Sequence, residues 1–163
     1  MNEMVMEHST KIGICFGLTS AIITTLGLIV GLHSGTHLKS VVLGGILTIA
    51  VADAFSDALG IHVSEESENV HTKKEIWTAT ISTFFAKFFF ALTFVIPVLL
   101  LDLTTSIYVS VVWGLGCLAI LSLTLSKEKK ENPWESIAEH LIIALVVIFI
   151  THYVGELIAS LFA

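Results

Sequence analysis

The chain has 163 residues, 55% of them hydrophobic and 13% charged, with a mean hydropathy of +0.90 and a formal net charge of -6. A soluble domain carries about 25% charged residues, so this composition excludes an ordinary soluble domain and reads as an all-α integral membrane protein. The length leaves room for one membrane domain and no separate soluble one, and the acidic balance gives no basic surface for a nucleic-acid partner.

Five apolar runs follow in chain order, at about 12–33, 40–62, 76–101, 107–126 and 134–161, each near the ~20 residues that cross a ~30 Å hydrocarbon core. The first is longer than a signal-peptide core and has no small-residue cleavage pattern after it, which predicts a retained helix. Its Thr19, Ser20 and Thr24 either line a pore or bond back to the backbone and to neighbouring helices. Gly13 with Gly17, and Gly27 with Gly31, give the small-xxx-small spacing of close helix contact, within the chain or across a dimer interface on helix 1.

The second run holds Asp53 and Asp57, one turn apart on a single helix face. Two carboxylates side by side in a low dielectric do not both stay ionised unless a cation joins them, so the pair takes a proton, binds a metal ion or meets a lysine. Oxygen donors suit harder divalent ions such as Mn²⁺ and Fe²⁺, and the imidazole of His62 would broaden the choice. Beyond it lie Glu65, Glu66 and Glu68, which can gather cations at an entrance. The third run contains Lys87. Ionisable groups at membrane depth cost about 2.5–3.5 kcal/mol each on insertion scales and usually mark ion or proton paths. The alternative is a neutralised Asp53–Lys87 pair that merely locks two helices.

Cys15 and Cys117 sit in apolar runs, where a thiol behaves as a small hydrophobe, and no disulfide is expected. The fifth run opens with Asn132, Pro133 and Glu135, an N-cap, a first-turn proline and a capping-box acid. Near its other end His152 and Glu156 share a face, as a weak cation site or an interfacial pair. Glu139 and His140 fall in its first turns, and His33, His37 and Lys39 read as an outer loop.

Short loops make sequential helices antiparallel neighbours, and an odd count puts the termini on opposite sides. There is no arginine; Lys11, Lys73, Lys74, Lys127, Lys129 and Lys130 fall on the N-terminal side and Lys39 opposite. The positive-inside rule then places the N-terminus in the cytoplasm and the C-terminus across the membrane. At 1.5 Å per residue Asp53 lies about 20 Å and Asp57 about 26 Å along helix 2 from the outer side, and Lys87 about 17 Å along helix 3 from the cytoplasm. Asp53 is thereby expected to meet Lys87, and Asp57 to lie nearer the cytoplasmic mouth.

These residues resemble a family. Gly17-Leu18-Thr19-Ser20 running into Leu26-Gly27-Leu28-Ile29-Val30-Gly31, Gly44-Gly45-Ile46 followed by Ala54-Phe55-Ser56-Asp57-Ala58-Leu59-Gly60, Thr83-Phe84-Phe85-Ala86 before Pro97, and Asn132-Pro133 before Thr151-His152-Tyr153-Val154-Gly155 are similar, in order, to motifs of the vacuolar iron transporter family. The resemblance covers nearly the whole chain. It implies a five-helix protomer in a parallel homodimer that exports Fe²⁺ or Mn²⁺ from the cytosol. The chain also departs from the pattern. The acid that opens the family's first helix falls on Phe16, its motif methionine on Asp57 and the following glutamate on Ile61. In the family those side chains belong to the ion path between protomers; here Asp53 stands one turn earlier as a replacement. The metal-binding domain that many members insert between helices 2 and 3 is missing, leaving a loop through Asn69, Val70, His71 and Lys73.

No phosphate loop, nucleophile elbow or Cys-x-x-Cys is present, so no enzyme activity and no cofactor are expected. The leading expectation is a divalent-cation transporter coupled to protons through Asp53, Asp57 and Lys87, with Asp57 facing the metal. The alternatives on the same fold are a proton or other solute carrier in which Lys87 fills the cation site, and a non-transporting membrane protein.

Overall fold

A computed structural model of the protein describes the backbone of residues 2–129 and 132–162 and the side chains of residues 6–128 and 132–162. Lys130, one of the lysines behind the orientation reading, lies outside the described residues. Of the described residues 93% are helical and none is in a strand, so the fold is all-α. The helices are α1 (Asn2–Thr36), α2 (Lys39–Ser67), α3 (Lys73–Thr93), α4 (Val95–Leu100), α5 (Leu103–Lys129) and α6 (Pro133–Phe162).

Among the described residues five spans are long and apolar enough to cross a membrane: Met6–Thr36, Lys39–Ser67, Lys73–Leu100, Leu103–Glu128 and Pro133–Phe162. They outrun the apolar runs at most ends, because a helix continues through polar residues at headgroup depth, where hydropathy gives no signal. The 29 residues of α2 extend about 43 Å, the thickness of a hydrocarbon core with its headgroup regions. The third span is two helices separated at Phe94. Pro97 explains the break, since it offers no N–H to the Thr93 carbonyl one turn back and its ring crowds that oxygen.

The outward faces are apolar. Leu47, Val51, Phe55, Leu59 and Val63 form an exposed stripe along α2, and Trp77, Ile81, Phe85 and Phe89 another along α3. Stripes this long are what lipid or another membrane helix covers. Small aliphatic residues turn inward on α2, at Val42, Ile46, Ala50, Ala54 and Ala58.

The chain divides into two compact units, Met1–Ala21 with Leu47–Thr93, and Ile22–Ile46 with Phe94–Ala163. In the first unit α1 lies against α3 at Gly13 and Gly17. A Cβ on Gly17 would stand 2.7 Å from the Thr83 carbonyl oxygen and 3.2 Å from the backbone nitrogen of Lys87, so backbone meets backbone there. In the second, Gly31 and Gly35 approach Thr151 and Gly155 of α6 in the same way. The glycine spacing of α1 therefore serves contact within the chain, and the dimer-interface reading of those glycines is not needed to explain them. Along α5 a buried stripe of Ser106, Ser110, Leu118, Ser122 and Ser126 gives the small profile that lets helices approach, and α5 packs on α6. Cys15 and Cys117 are free thiols.

Gly17→Ala is expected to cost about 1–3 kcal/mol through overpacking, read as a lower unfolding midpoint in detergent. Gly44→Ala, whose added methyl would meet nothing within 4 Å, should not lower it. Equal midpoints for the two variants would rule out the close backbone contact.

Asp102 caps α5: its Oδ2 accepts from Thr105 N at 2.9 Å and its carbonyl from Ser106 N at 2.9 Å. The Thr105 backbone N–H holds this carboxyl below its ordinary range. A carboxyl depressed in the folded state stabilises above the unfolded-state value and loses that contribution as pH falls through the folded one. Amide exchange at the start of α5 should therefore be more protected in the wild type than in Asp102→Ala near neutral pH, with the gap closing in acid. Asp102→Asn keeps a capping oxygen without the titration, and a gap between Asp102→Asn and Asp102→Ala that closed equally in acid would refute a carboxylate origin.

Candidate functional site

Asp53 and Asp57 come from α2, Lys87 from α3 and Ser20 from α1, all within the first unit. Lys87 lies on the inward stripe of α3 with Ile76, Ala79, Thr83 and Ala91, the face that Gly13 and Gly17 of α1 approach. Its side chain is 1% exposed. Nζ donates to Ser20 Oγ at 2.7 Å and to Asp57 Oδ2. It is also in ion-pair contact with Asp53 Oδ2, whose approach lacks hydrogen-bond geometry. A three-donor ammonium thus faces three oxygens from two other helices.

The Asp53–Lys87 contact is the one expected from depth. The expectation that Asp57 stands apart, nearer a mouth, is corrected: it shares the same ammonium. Residues four apart are about 6 Å apart along the axis, and a lysine stem places Nζ between them. Counting backbone depth ignores that reach.

The two carboxylates are not sealed. Their side chains are 26% and 18% exposed at the edge of an outward strip of small residues on α2, Thr48, Ala52, Ser56 and Gly60. The site therefore has a fully buried cationic end and a partly open anionic end.

His62 does not join it. At about 100° per residue His62 is turned some 140° from Asp57 and 180° from Asp53 around α2. Its Nδ1 pairs with Thr80 Oγ1 at 3.0 Å, and its ring lies edge-on to Trp77 with centroids 4.9 Å apart. Both partners belong to α3, so His62 fastens α2 to α3, and the reading of it as a ligand with Asp53 and Asp57 is corrected.

Among the described residues one group of three or more His, Cys, Asp or Glu side chains brings its ligand atoms within 4.8 Å of one another: Glu65, Glu68 and His71. The two glutamates are among the acids that the sequence reading places at the end of helix 2, whereas His71 and Glu75 carry no role in that reading. The signal available for them is Glu-x-x-Glu-x-x-His across the end of α2, followed by the Thr72-x-x-Glu75 capping pattern.

The remaining candidates lie elsewhere. Ser20 is a partner of Lys87; Thr19 and Thr24 are half-buried on α1. His152 and Glu156 approach to 3.4 Å as a half-exposed pair on α6. His152 Nδ1 also pairs with Ser34 Oγ at 2.6 Å, beside a cavity of about 530 Å³ whose lining includes His33, Thr104, Tyr108 and Phe149. His140 pairs with Ser122 at 2.7 Å, which ties α6 to α5. Lys39 is more than a loop residue: its Nζ donates to the carbonyls of Leu99 and Leu101 at 3.2 and 2.9 Å, closing the end of α4.

No protein-family model and no curated protein matches the chain, so the likeness to vacuolar iron transporters rests on the motif residues alone.

Proposed function

We propose that the protein is a membrane cation transporter that exports divalent ions such as Fe²⁺ or Mn²⁺ from the cytosol in exchange for protons, with Asp53, Asp57 and Lys87 as the exchange site. The observation that carries this reading is the asymmetry of the site: a buried ammonium held by two carboxylates whose outer edges stay open, inside helices long enough to span a bilayer. Carboxylates at that depth are too costly to present to lipid, so the open edge faces a second protomer or a water-filled path. The small-residue strip beside it suits close approach by another helix and supports a parallel homodimer with α2 near its axis. The lysine asymmetry supports a cytoplasmic N-terminus.

Charge balance gives the exchange its form. Two carboxylates and one ammonium leave one net negative charge, which a low dielectric disfavours. One electroneutral filling is an ammonium, a carboxylate and a carboxylic acid. Another is a divalent ion, two carboxylates and a neutral amine. Passing between them trades about two protons for each divalent ion, and the amine moves aside as the metal enters.

A specific observation favours one second reading, a proton or solute carrier: Lys87 already occupies the space between the carboxylates. Proteoliposomes separate the two. With an acidic lumen, Mn²⁺ uptake should be accompanied by proton efflux near two per ion. Proton flux that is independent of Mn²⁺, with no Mn²⁺ accumulation, would replace the metal reading by the proton carrier.

A further inference from the structure

The cluster at the end of α2 has features that an ordinary solvated acidic patch lacks. Glu65 is 7% exposed, and its Oε2 is buried with no hydrogen-bond partner. That oxygen is turned towards His71, whose Nε2 lies 3.5 Å from it and 3.3 Å from Glu68 Oε2. A buried carboxylate oxygen without a donor is costly; a cation between these three atoms would satisfy it.

The surrounding backbone holds the ligands together. Asn69 adopts a left-handed conformation, φ 56°, which asparagine tolerates better than most residues, and the chain reverses there so that His71 faces the last turns of α2. Thr72 and Glu75 then form a reciprocal capping box at the start of α3, Thr72 N to Glu75 Oε2 at 2.8 Å and Glu75 N to Thr72 Oγ1 at 3.4 Å, as that motif requires. The Glu75 carboxylate so fixed lies 3.8 Å from His71 Nδ1. His71 Nε2 is hydrogen-bonded to Glu68 Oε2, so a metal here takes the place of the proton on Nε2, and a carboxylate on the Nδ1 side stabilises the tautomer that then carries its proton on Nδ1.

We propose that Glu65, Glu68 and His71 form a divalent transition-metal site, with Glu75 as the residue that orients the histidine. Two carboxylates and one imidazole select first-row ions such as Mn²⁺, Fe²⁺, Co²⁺ and Zn²⁺ over Mg²⁺ and Ca²⁺, which take oxygen ligands. The site stands about 39 Å along α2 from Lys39, beyond the ~30 Å hydrocarbon thickness, where a hydrated ion has access. It shares no residue with the Asp53–Asp57–Lys87 triad, and equilibrium binding here does not depend on transport.

Co²⁺ is the probe, because its visible absorption reports nitrogen and oxygen ligation. Full-length protein in detergent micelles should bind Co²⁺ at micromolar concentration, with millimolar Mg²⁺ failing to displace it. His71→Ala and Glu65→Gln should abolish micromolar binding, and Glu75→Gln should weaken it about 10–100-fold. Glu139→Gln, at an exposed carboxylate on α6 outside both sites, should leave it unchanged, and each variant's monodispersity and unfolding midpoint show whether it is folded. Absence of Co²⁺ binding by the wild type overturns the proposal. So does equal binding by folded His71→Ala, displacement by Mg²⁺, or loss confined to Asp57→Asn, the last of which would assign the metal to the triad. Loss of transport with Co²⁺ binding intact counts against the transport reading alone.

Discussion

Lys87→Met lowers the stability of the protein by about 3–5 kcal/mol, the cost of removing one partner from a buried charge pair, whereas Asp53→Asn or Asp57→Asn alone costs much less. The order follows from the charge count of the site. Removing the ammonium leaves two carboxylates facing each other with no cation. Removing one carboxylate leaves a neutral pair and an amide that still accepts a hydrogen bond. Combining Lys87→Met with Asp53→Asn and Asp57→Asn should therefore recover much of what Lys87→Met loses, because no charge is left stranded. Unfolding midpoints in detergent for the single, double and triple variants test this. Strictly additive changes would show that the three groups are not coupled.

Asp57→Asn should reduce divalent-ion flux by roughly 10–100-fold while the protein stays folded. A charge-assisted contact is worth about 1.5–3 kcal/mol, and each 1.4 kcal/mol is a factor of about ten. The amide preserves size and keeps one acceptor for Lys87, so loss of flux would report the missing charge rather than a collapsed site. Mn²⁺ uptake into proteoliposomes at the wild-type rate would remove Asp57 from the ion path and favour the proton or solute carrier.

The spans are legible in the sequence because an unbroken hydrophobic run of about 20 residues matches the bilayer core in length and is longer than most buried segments of soluble proteins. Their ends are not, since α1 and α2 run on through Lys11 and Glu65, where polar residues sit in helix as readily as in loop. The Asp53–Lys87 contact follows from rise per residue. The Asp57 contact does not, because side-chain reach is comparable with the helical pitch. Depth alone also misplaces His62, since rotation about the helix separates positions five apart by about 140°. His71 is hidden because a short loop reads as a connection only; the left-handed Asn69 and the capping box at Thr72 make it a positioned residue.

The lysine shared by Asp53 and Asp57 also bears on how the chain enters the membrane. On biological insertion scales each mid-helix aspartate opposes partitioning by about 2.5–3.5 kcal/mol, and a leucine, isoleucine, valine or phenylalanine favours it by only about 0.3–0.6 kcal/mol. With its two aspartates, α2 is a poor substrate for insertion on its own. The charge that partly offsets them arrives 30 positions after Asp57, on the far side of a turn of a few residues between Ser67 and Lys73. The two segments gain by leaving the translocon as a hairpin already joined by its ion pairs, so Lys87 would be needed during biogenesis before it takes part in any transport.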